Sequence, residues 1–197
     1  MSKKNCGKRS LVLEEVESRR LMAASIDLYG STLVIEGTNG NDYAFVQRVS
    51  GDVYASVSSP GNSQITKTFS STQVSKVIMR GFDGDDTLLN YQTNIRSEIY
   101  GGKGNDYLYG GNNDDTIFGL EGNDWIFGNG GNDYIHGDND YFPYQGGNDY
   151  ISGGSGNDTM AGDGGHDSLY GESGNDVLFG DDDHDWLYAS HAGSAGN

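Results

Sequence analysis

From Gly101 to Tyr188 the chain repeats one nine-residue phrase nine times, Gly-x-x-Gly-x-Asp-x-(Leu/Ile)-x, with a single seven-residue insertion after Asp138. The sixth position is Asp in every copy, and the eighth is Leu, Ile or, once, Met. Glycine allows the positive φ of a tight turn, and one apolar residue in each short extended segment can point inward. The repeat therefore predicts a turn followed by a short β-strand in every copy.

The charge of the chain is concentrated in these repeats. Residues 1–100 hold eleven acidic and eleven basic residues, whereas eighteen acidic residues and Lys103 alone follow, so the repeats carry the whole net charge of −17. One apolar residue per repeat cannot offset a backbone entropy cost of about 1–2 kcal/mol per ordered residue. We therefore expect the repeats to need cations, and oxygen-rich turns suit calcium. A disordered acidic tail is disfavoured because it would not need an aliphatic residue at a fixed position.

Two copies carry the fullest form of the phrase, Gly101-Gly102-Lys103-Gly104-Asn105-Asp106 and Gly153-Gly154-Ser155-Gly156-Asn157-Asp158. This pattern resembles the RTX, or hemolysin-type, calcium-binding nonapeptide repeat family. The resemblance implies an all-β fold, a right-handed parallel β-roll in which six residues turn and three form a strand. Two repeats then make one coil, and alternate repeats share an edge.

The resemblance also implies where calcium binds. In the family each ion lies between stacked turns and takes backbone carbonyls and Asp carboxylates from two successive turns of one edge. Applied here, one edge carries Asp106, Asp124, Asp149, Asp167 and Asp185, and the other carries Asp115, Asp133, Asp158 and Asp176. The accompanying glycines are Gly101, Gly110, Gly119, Gly128, Gly153, Gly162 and Gly171, and Asp86 belongs to an isolated upstream turn. Such an array could hold seven ions.

Some turns depart from the pattern. The fourth position is Asn113 or Asp183 instead of Gly in two turns, and these are the residue types that best tolerate a left-handed backbone. The turn with Asp183 and the interrupted turn of residues 137–149 are candidates for ion-free turns. His166 and His184 replace Asn at the fifth position of neighbouring turns. They could share a transition metal, but a simple replacement for Asn is favoured.

Upstream of the repeats, residues 25–100 read as short β segments with two isolated turn phrases, residues 37–42 and 81–86, and an irregular coil from Asn90 to Tyr100. We expect this part to be an N-terminal β cap, because an open solenoid end exposes unpaired strands. Residues 1–24 form an export- or targeting-like segment in which residues 16–22 resemble the Leu-Glu-Pro-Arg-x-Leu-Leu segment of some bacterial surface proteins. Residues 101–188 are the calcium-binding roll, and residues 189–197 are a C-terminal tail.

Sorting the repeats into two sheets predicts one face rich in aromatic side chains. These are Tyr107, Trp125, Phe127, Tyr150, Tyr170, Trp186 and Tyr188, together with Tyr109. One interpretation is a flat surface for an extracellular glycan or a surface protein. The other is ring packing that stabilises a thin sheet. The insertion after Asp138 is expected to be a surface loop.

No catalytic motif of a metalloprotease, hydrolase or phosphate-binding enzyme occurs, so we expect no enzymatic activity. The lack of clustered Lys and Arg argues against nucleic acid as a partner, and no stretch has the length and hydropathy of a transmembrane span. The predicted function is calcium binding by an extracellular or cell-surface roll that folds on calcium and acts as a structural or adhesive module. The alternative is a non-catalytic accessory module or fragment of an extracellular polysaccharide-acting or hydrolytic enzyme.

Overall fold

The computed structural model describes residues 23–91, 93–138 and 146–189. The predictions for the N-terminal targeting-like segment, for the insertion and for most of the C-terminal tail lie outside these residues.

The described residues form seventeen β-strands and no helix. The strands are β1 Ser25–Tyr29, β2 Thr32–Glu36, β3 Tyr43–Val49, β4 Asp52–Ser58, β5 Ile65–Ser70, β6 Lys76–Asp83, β7 Thr87–Tyr91, β8 Arg96–Lys103, β9 Tyr107–Tyr109, β10 Thr116–Glu121, β11 Trp125–Gly130, β12 Tyr134–His136, β13 Tyr150–Ser155, β14 Thr159–Ala161, β15 Ser168–Ser173, β16 Val177–Phe179 and β17 Trp186–Tyr188.

From β6 onward, successive strands alternate between two sheets. One sheet has the order β1-β2-β6-β8-β10-β12-β14-β16, and the other has the order β17-β15-β13-β11-β9-β7-β3-β4-β5. Every pairing among β6 to β17 is parallel. A chain that crosses to the facing sheet after each strand and returns one position further along is a β-roll, which confirms the predicted fold class.

The interior of the roll is one residue thick on each side. In one sheet Leu108, Ile126 and Ile151 stand next to each other across the parallel pairs, and all three are fully buried. In the facing sheet Ile117 and Ile135 do the same. The eighth position of each repeat is thus the inward position, as predicted. The stack opens at its far end, where Leu187 is 46% exposed.

The strands that precede the repeats continue the same two sheets. β1 pairs antiparallel with β2, and β3, β4 and β5 form an antiparallel meander, while β2 and β3 join the parallel part through β6 and β7. This part has a denser apolar interior that includes Ile35, Val46 and Val53. It occupies one end of both sheets, and its role as a cap stays a prediction.

One prediction for this region is wrong. The stretch from Asn90 to Tyr100 is not an irregular coil throughout, because β7 extends to Tyr91 and β8 begins at Arg96. Within β8, Ile99 pairs with Met79 on one side and with Ile117 on the other, and it is fully buried. Residues 96–100 therefore form a strand of the roll, because Ile99 packs inward between the inward residues of the two neighbouring strands.

We predict that Ile126→Ala destabilises the calcium-loaded roll by about 2–5 kcal/mol, since removal of a buried aliphatic side chain leaves a cavity that a one-residue-thick core cannot refill. Urea unfolding in excess calcium measures the change. Leu187→Ala, at the equivalent but exposed position, is the matched control and should have a much smaller effect. Equal destabilisation by the two variants would contradict the assigned core.

Candidate metal centre

The turns of the roll are stacked too closely for side chains at their glycine positions. A Cβ added to Gly101 would collide with Oδ2 of Asp106 and lie 2.7 Å from the carbonyl oxygen of Gly119. Gly104 has a φ of 118°, and a Cβ there would lie 2.6 Å from the carbonyl carbon of Gly84. Gly110, Gly119, Gly128 and Gly137 have the same surroundings, so each of these first glycines leaves a space bordered by the carboxylate of its own turn and by a carbonyl oxygen of the next turn.

The repeat aspartates form a hydrogen-bonded ladder along each edge. The backbone N–H of Asp106 donates to Oδ1 of Asp124 over 2.7 Å, and that of Asp124 donates to Oδ1 of Asp149 over 2.8 Å. The same contact joins Asp149 to Asp167 and Asp167 to Asp185 on this edge, and Asp115 to Asp133, Asp133 to Asp158 and Asp158 to Asp176 on the other. The structure thus groups the predicted aspartates on two edges as the alternation of repeats required.

Only one oxygen of most ladder carboxylates is used in this way. Among the described residues, the Oδ2 atoms of eight aspartates are buried and have no hydrogen-bond partner, namely those of Asp86, Asp106, Asp124, Asp133, Asp149, Asp158, Asp167 and Asp176. A buried carboxylate oxygen without a donor is costly, because it has lost its hydration without replacement. A row of such atoms fits bound cations.

Burial has a large effect on the acidity of these groups. Burial raises the pKa of Asp124 to about 8 and that of Asp149 to about 9. The backbone N–H that each carboxylate accepts lowers its pKa in part, and the neighbouring carboxylates raise it further. Burial likewise raises the pKa of Asp106 to about 7 and that of Asp133 to about 8. Without a cation the folded roll therefore holds protons on its edges near neutral pH.

The donors on each edge are oxygens of the kind that calcium prefers. Within residues 23–91, 93–138 and 146–189, no group of three or more His, Cys, Asp or Glu side chains converges on one point. Each candidate site therefore combines few carboxylates with backbone carbonyls, such as Oδ2 of Asp106 with the carbonyl of Gly119. Hard oxygen donors without nitrogen or sulfur fit calcium better than a transition metal.

The second position of the turn is a feature that sequence reasoning missed. It has a positive φ in most turns even where it is not glycine, as at Leu120 with 83°, Asn129 with 77° and Glu172 with 68°. At the fourth position Asp183 has the predicted left-handed backbone with 72°. Asn113 does not use this tolerance, since it is not among the positive-φ residues, and in its turn the N–H of Gly111 donates to Oδ2 of Asp115.

The fifth position forms a second ladder. The N–H of Asn123 donates to Oδ1 of Asn105 over 2.8 Å, and His166 N–H donates to Oδ1 of Asn148 over 2.8 Å. The N–H of His184 then donates to Nδ1 of His166 over 3.2 Å, and the two rings lie 6.0 Å apart, nearly parallel. His166 continues the asparagine ladder, which supports the interpretation of the histidines as replacements for Asn.

Two acidic residues that the sequence did not single out are part of the edges. Asp42 continues the first edge upstream, because its N–H donates to Oδ1 of Asp86 over 2.6 Å. Asp138, at the second position of the interrupted turn, is 5% exposed, and its Oδ2 accepts the N–H of Gly147 over 2.9 Å. The turn phrase of residues 37–42 was the available signal for Asp42. Burial of Asp138 had no sequence signal.

The aromatic face exists and its rings touch each other. Trp125 stacks on Tyr150 with centroids 5.0 Å apart, and Tyr150, Tyr170 and Tyr188 follow at 5.1 and 4.9 Å. Trp125 is 55% exposed and Trp186 is 65% exposed. The face therefore combines ring packing along the sheet with a large solvent-exposed aromatic area.

Comparison with known protein families identifies the repeats. A family model for the RTX calcium-binding nonapeptide repeat matches four times, at residues 97–117, 109–141, 145–169 and 161–190. Searches of curated proteins and of solved structures gave no match. Within the described part of the chain, no helix has the length and apolar character needed to cross a membrane.

The raised pKa values predict how the calcium-free chain responds to pH. The folded state favours the protonated form of the edge carboxylates, because their pKa values are raised in it from 3.8 to about 7 to 9. The stability that this protonation contributes is complete below pH 3.8, decreases as pH rises, and is lost once pH has passed the raised pKa values. In chelator, we expect β circular dichroism to increase as pH falls from about 8 to about 5. With saturating calcium the same change should be much smaller. A calcium-free signal that does not change over this range would contradict the burial of these groups.

Proposed function

Because the chain carries RTX calcium-binding nonapeptide repeats across residues 97–190, we propose that it is a calcium-dependent structural module whose roll folds when calcium binds to the edge aspartates. The observation that carries the proposal is the row of buried Oδ2 atoms without partners. After residue 100 the chain has eighteen Asp and Glu side chains and, as its one Lys or Arg, Lys103, so the permanent positive charge of the repeats is far too small to balance their ionised carboxylates.

The chain's own groups hold the turns in register. Asp106 donates its N–H to Oδ1 of Asp124 and accepts the N–H of Trp125 at its carbonyl oxygen over 2.8 Å. The backbone N–H and the carbonyl of such an aspartate thus both bond to the next turn, and its Oδ2 lies beside the first glycine of its own turn. Calcium, when bound, supplies the positive charge that lets these carboxylates stay ionised side by side. Folding and binding are then one event.

Removal of calcium should therefore unfold the roll. We expect a calcium titration of the chelated protein to give a cooperative gain of β circular dichroism, with native mass spectrometry counting the ions bound. Asp124→Ala should bind fewer ions and melt at a lower temperature. Asp52→Ala, an exposed aspartate outside the ladder, is the control. A chelated protein as ordered as the calcium-loaded one would refute the proposal.

The place of action that fits this behaviour is outside the cell. Extracellular calcium reaches the millimolar range in which weak extracellular modules bind it, whereas resting cytosol holds little. Proteins with RTX repeats are usually secreted, as a general property of the family. We therefore propose an extracellular or cell-surface module that stays unfolded until export. Its domains are then the upstream strands at residues 25–100 as an N-terminal cap and residues 101–188 as the roll.

The aromatic face favours a second, more specific role as a binding surface. It presents Trp125, Tyr150, Trp186 and their neighbours on one side of the roll, and exposed aromatic area of this extent is uncommon on a surface without a partner. A flat row of rings suits stacking on sugars. This role agrees with an accessory module of a polysaccharide-acting enzyme, in which the roll itself has no catalytic role.

A glycan array probes this role. Calcium-loaded protein should bind at least one class of extracellular polysaccharide, and Trp125→Ala with Trp186→Ala should lower that binding at least about tenfold, as loss of two stacking contacts worth about 1 kcal/mol each predicts. Tyr134→Ala, on the opposite sheet and 44% exposed, is the matched control. If calcium-dependent self-assembly occurs without any glycan binding, the adhesive role is favoured instead.

A further inference from the structure

The turns along the two edges are of two kinds, which differ in what occupies Oδ2 of the aspartate. In the closed kind a backbone N–H of the same turn donates to this oxygen. In the open kind no donor reaches it. The two kinds carry the same residue type at the same turn position, so the difference comes from the backbone.

Two turns are closed, and each is the first of its edge. The N–H of Thr38 donates to Oδ2 of Asp42 over 2.5 Å, and the N–H of Gly111 donates to Oδ2 of Asp115 over 2.5 Å. Neither Thr38 nor Gly111 has a positive φ. Asp115 is also bound at Oδ1 by the N–H and the Oγ of Ser97, at 2.5 and 2.8 Å. The carboxylates of the closed turns are therefore satisfied by the chain.

The turn of residues 81–86 is open although it lies upstream of the matched residues 97–190. Asp86 is 1% exposed, and its Oδ2 has no partner. A Cβ on Gly81 would meet this oxygen and, at 2.5 Å, the carbonyl oxygen of Gly101. Asp106 and Gly119 make the same arrangement around Gly101 inside the matched region. The two closed turns share this arrangement at Gly37 and Gly110, so what distinguishes the turn of Asp86 from them is the missing donor at Oδ2.

The backbone of the open turn is costly by itself. Phe82, at its second position, has a φ of 83°, and a left-handed backbone costs a non-glycine residue roughly 1–2 kcal/mol. The turn therefore combines a strained bulky residue with a buried carboxylate oxygen that lacks a donor. The neighbouring turn of residues 37–42 avoids both costs by closing on Thr38. A bound cation is what would make the open form favourable.

Building on the proposed calcium-dependent folding, we propose that the ions begin at the turn of residues 81–86 on one edge and at the turn of residues 128–133 on the other. The turns of residues 37–42 and 110–115 are metal-free ends. Asp86 is then a calcium ligand outside the matched repeats, which links β6 and β7 to the roll. Asp115, expected from the sequence to be a ligand, is instead a hydrogen-bonded start of its edge.

Two pairs of matched variants test the proposal that open turns bind calcium and closed turns do not. Asp86→Asn and Asp133→Asn should each lower the number of calcium ions bound per chain by at least one, as counted by native mass spectrometry and equilibrium dialysis. Asp42→Asn and Asp115→Asn should keep the wild-type number, whatever their effect on melting temperature. Circular dichroism at saturating calcium establishes that each variant is folded. If Asp86→Asn does not fold, the pair at Asp133 and Asp115 decides the rule.

Asp124→Asn separates this inference from the proposed function. If Asp124→Asn loses an ion while Asp86→Asn does not, the turn of residues 81–86 is not the first ion site of its edge, but the proposed calcium-dependent folding stands. Loss of an ion by Asp42→Asn or Asp115→Asn would also overturn the assignment of metal-free ends. If none of the five variants changes the number of ions, the proposed role of the edge aspartates is itself wrong.

Discussion

The structure depends on one contact, the backbone N–H of an aspartate in one turn donating to Oδ1 of the aspartate in the next. Asp106 and Asp124 make it over 2.7 Å, and equivalent contacts continue along both edges. Because this contact fixes where each carboxylate lies, it also fixes where Oδ2 lies, buried beside the first glycine of its turn. Where no backbone N–H of the turn reaches Oδ2, the bond that stacks the turns therefore leaves a buried oxygen that a cation fits, as at Asp124, whereas at Asp115 the N–H of Gly111 satisfies it.

Two weaknesses of the roll follow from the same geometry. Its apolar interior is a single residue per repeat, such as Ile126 or Ile135, so burial contributes little for each ordered residue. Its edges bring carboxylates close together, and burial raises the pKa of Asp133 and Asp124 to about 8. In the proposed function calcium acts on both weaknesses at once, since a bound cation neutralises the edges and adds free energy to folding. Under that proposal the chain is ordered where calcium is abundant and unordered where it is scarce.

The outer surfaces carry the side chains on which the proposed binding role rests. On one sheet, contacts between Trp125, Tyr150 and Tyr170 form a continuous row of rings. Ring packing explains why the rings lie side by side. It does not require that Trp125, in the inner strand β11, be 55% exposed, and this exposure is the reason for proposing a glycan or protein partner. In the proposed function calcium and recognition are connected, because the folded roll aligns these rings.

The sequence by itself determined the nine-residue period and the inward position of each repeat, since Asp and an aliphatic residue recur at fixed places. The division of Asp106 to Asp185 into two edges followed from the resemblance to a family in which two repeats make one coil. Only the tertiary structure decided which carboxylates are satisfied. Asp115 and Asp133 are the same residue in the same phrase, yet Ser97 and Gly111 donate to the first, and Oδ2 of the second has no donor. Those donors, like the burial of Asp138 and the strand at residues 96–100, depend on backbone φ angles and on neighbours one coil away, which a repeated phrase cannot encode.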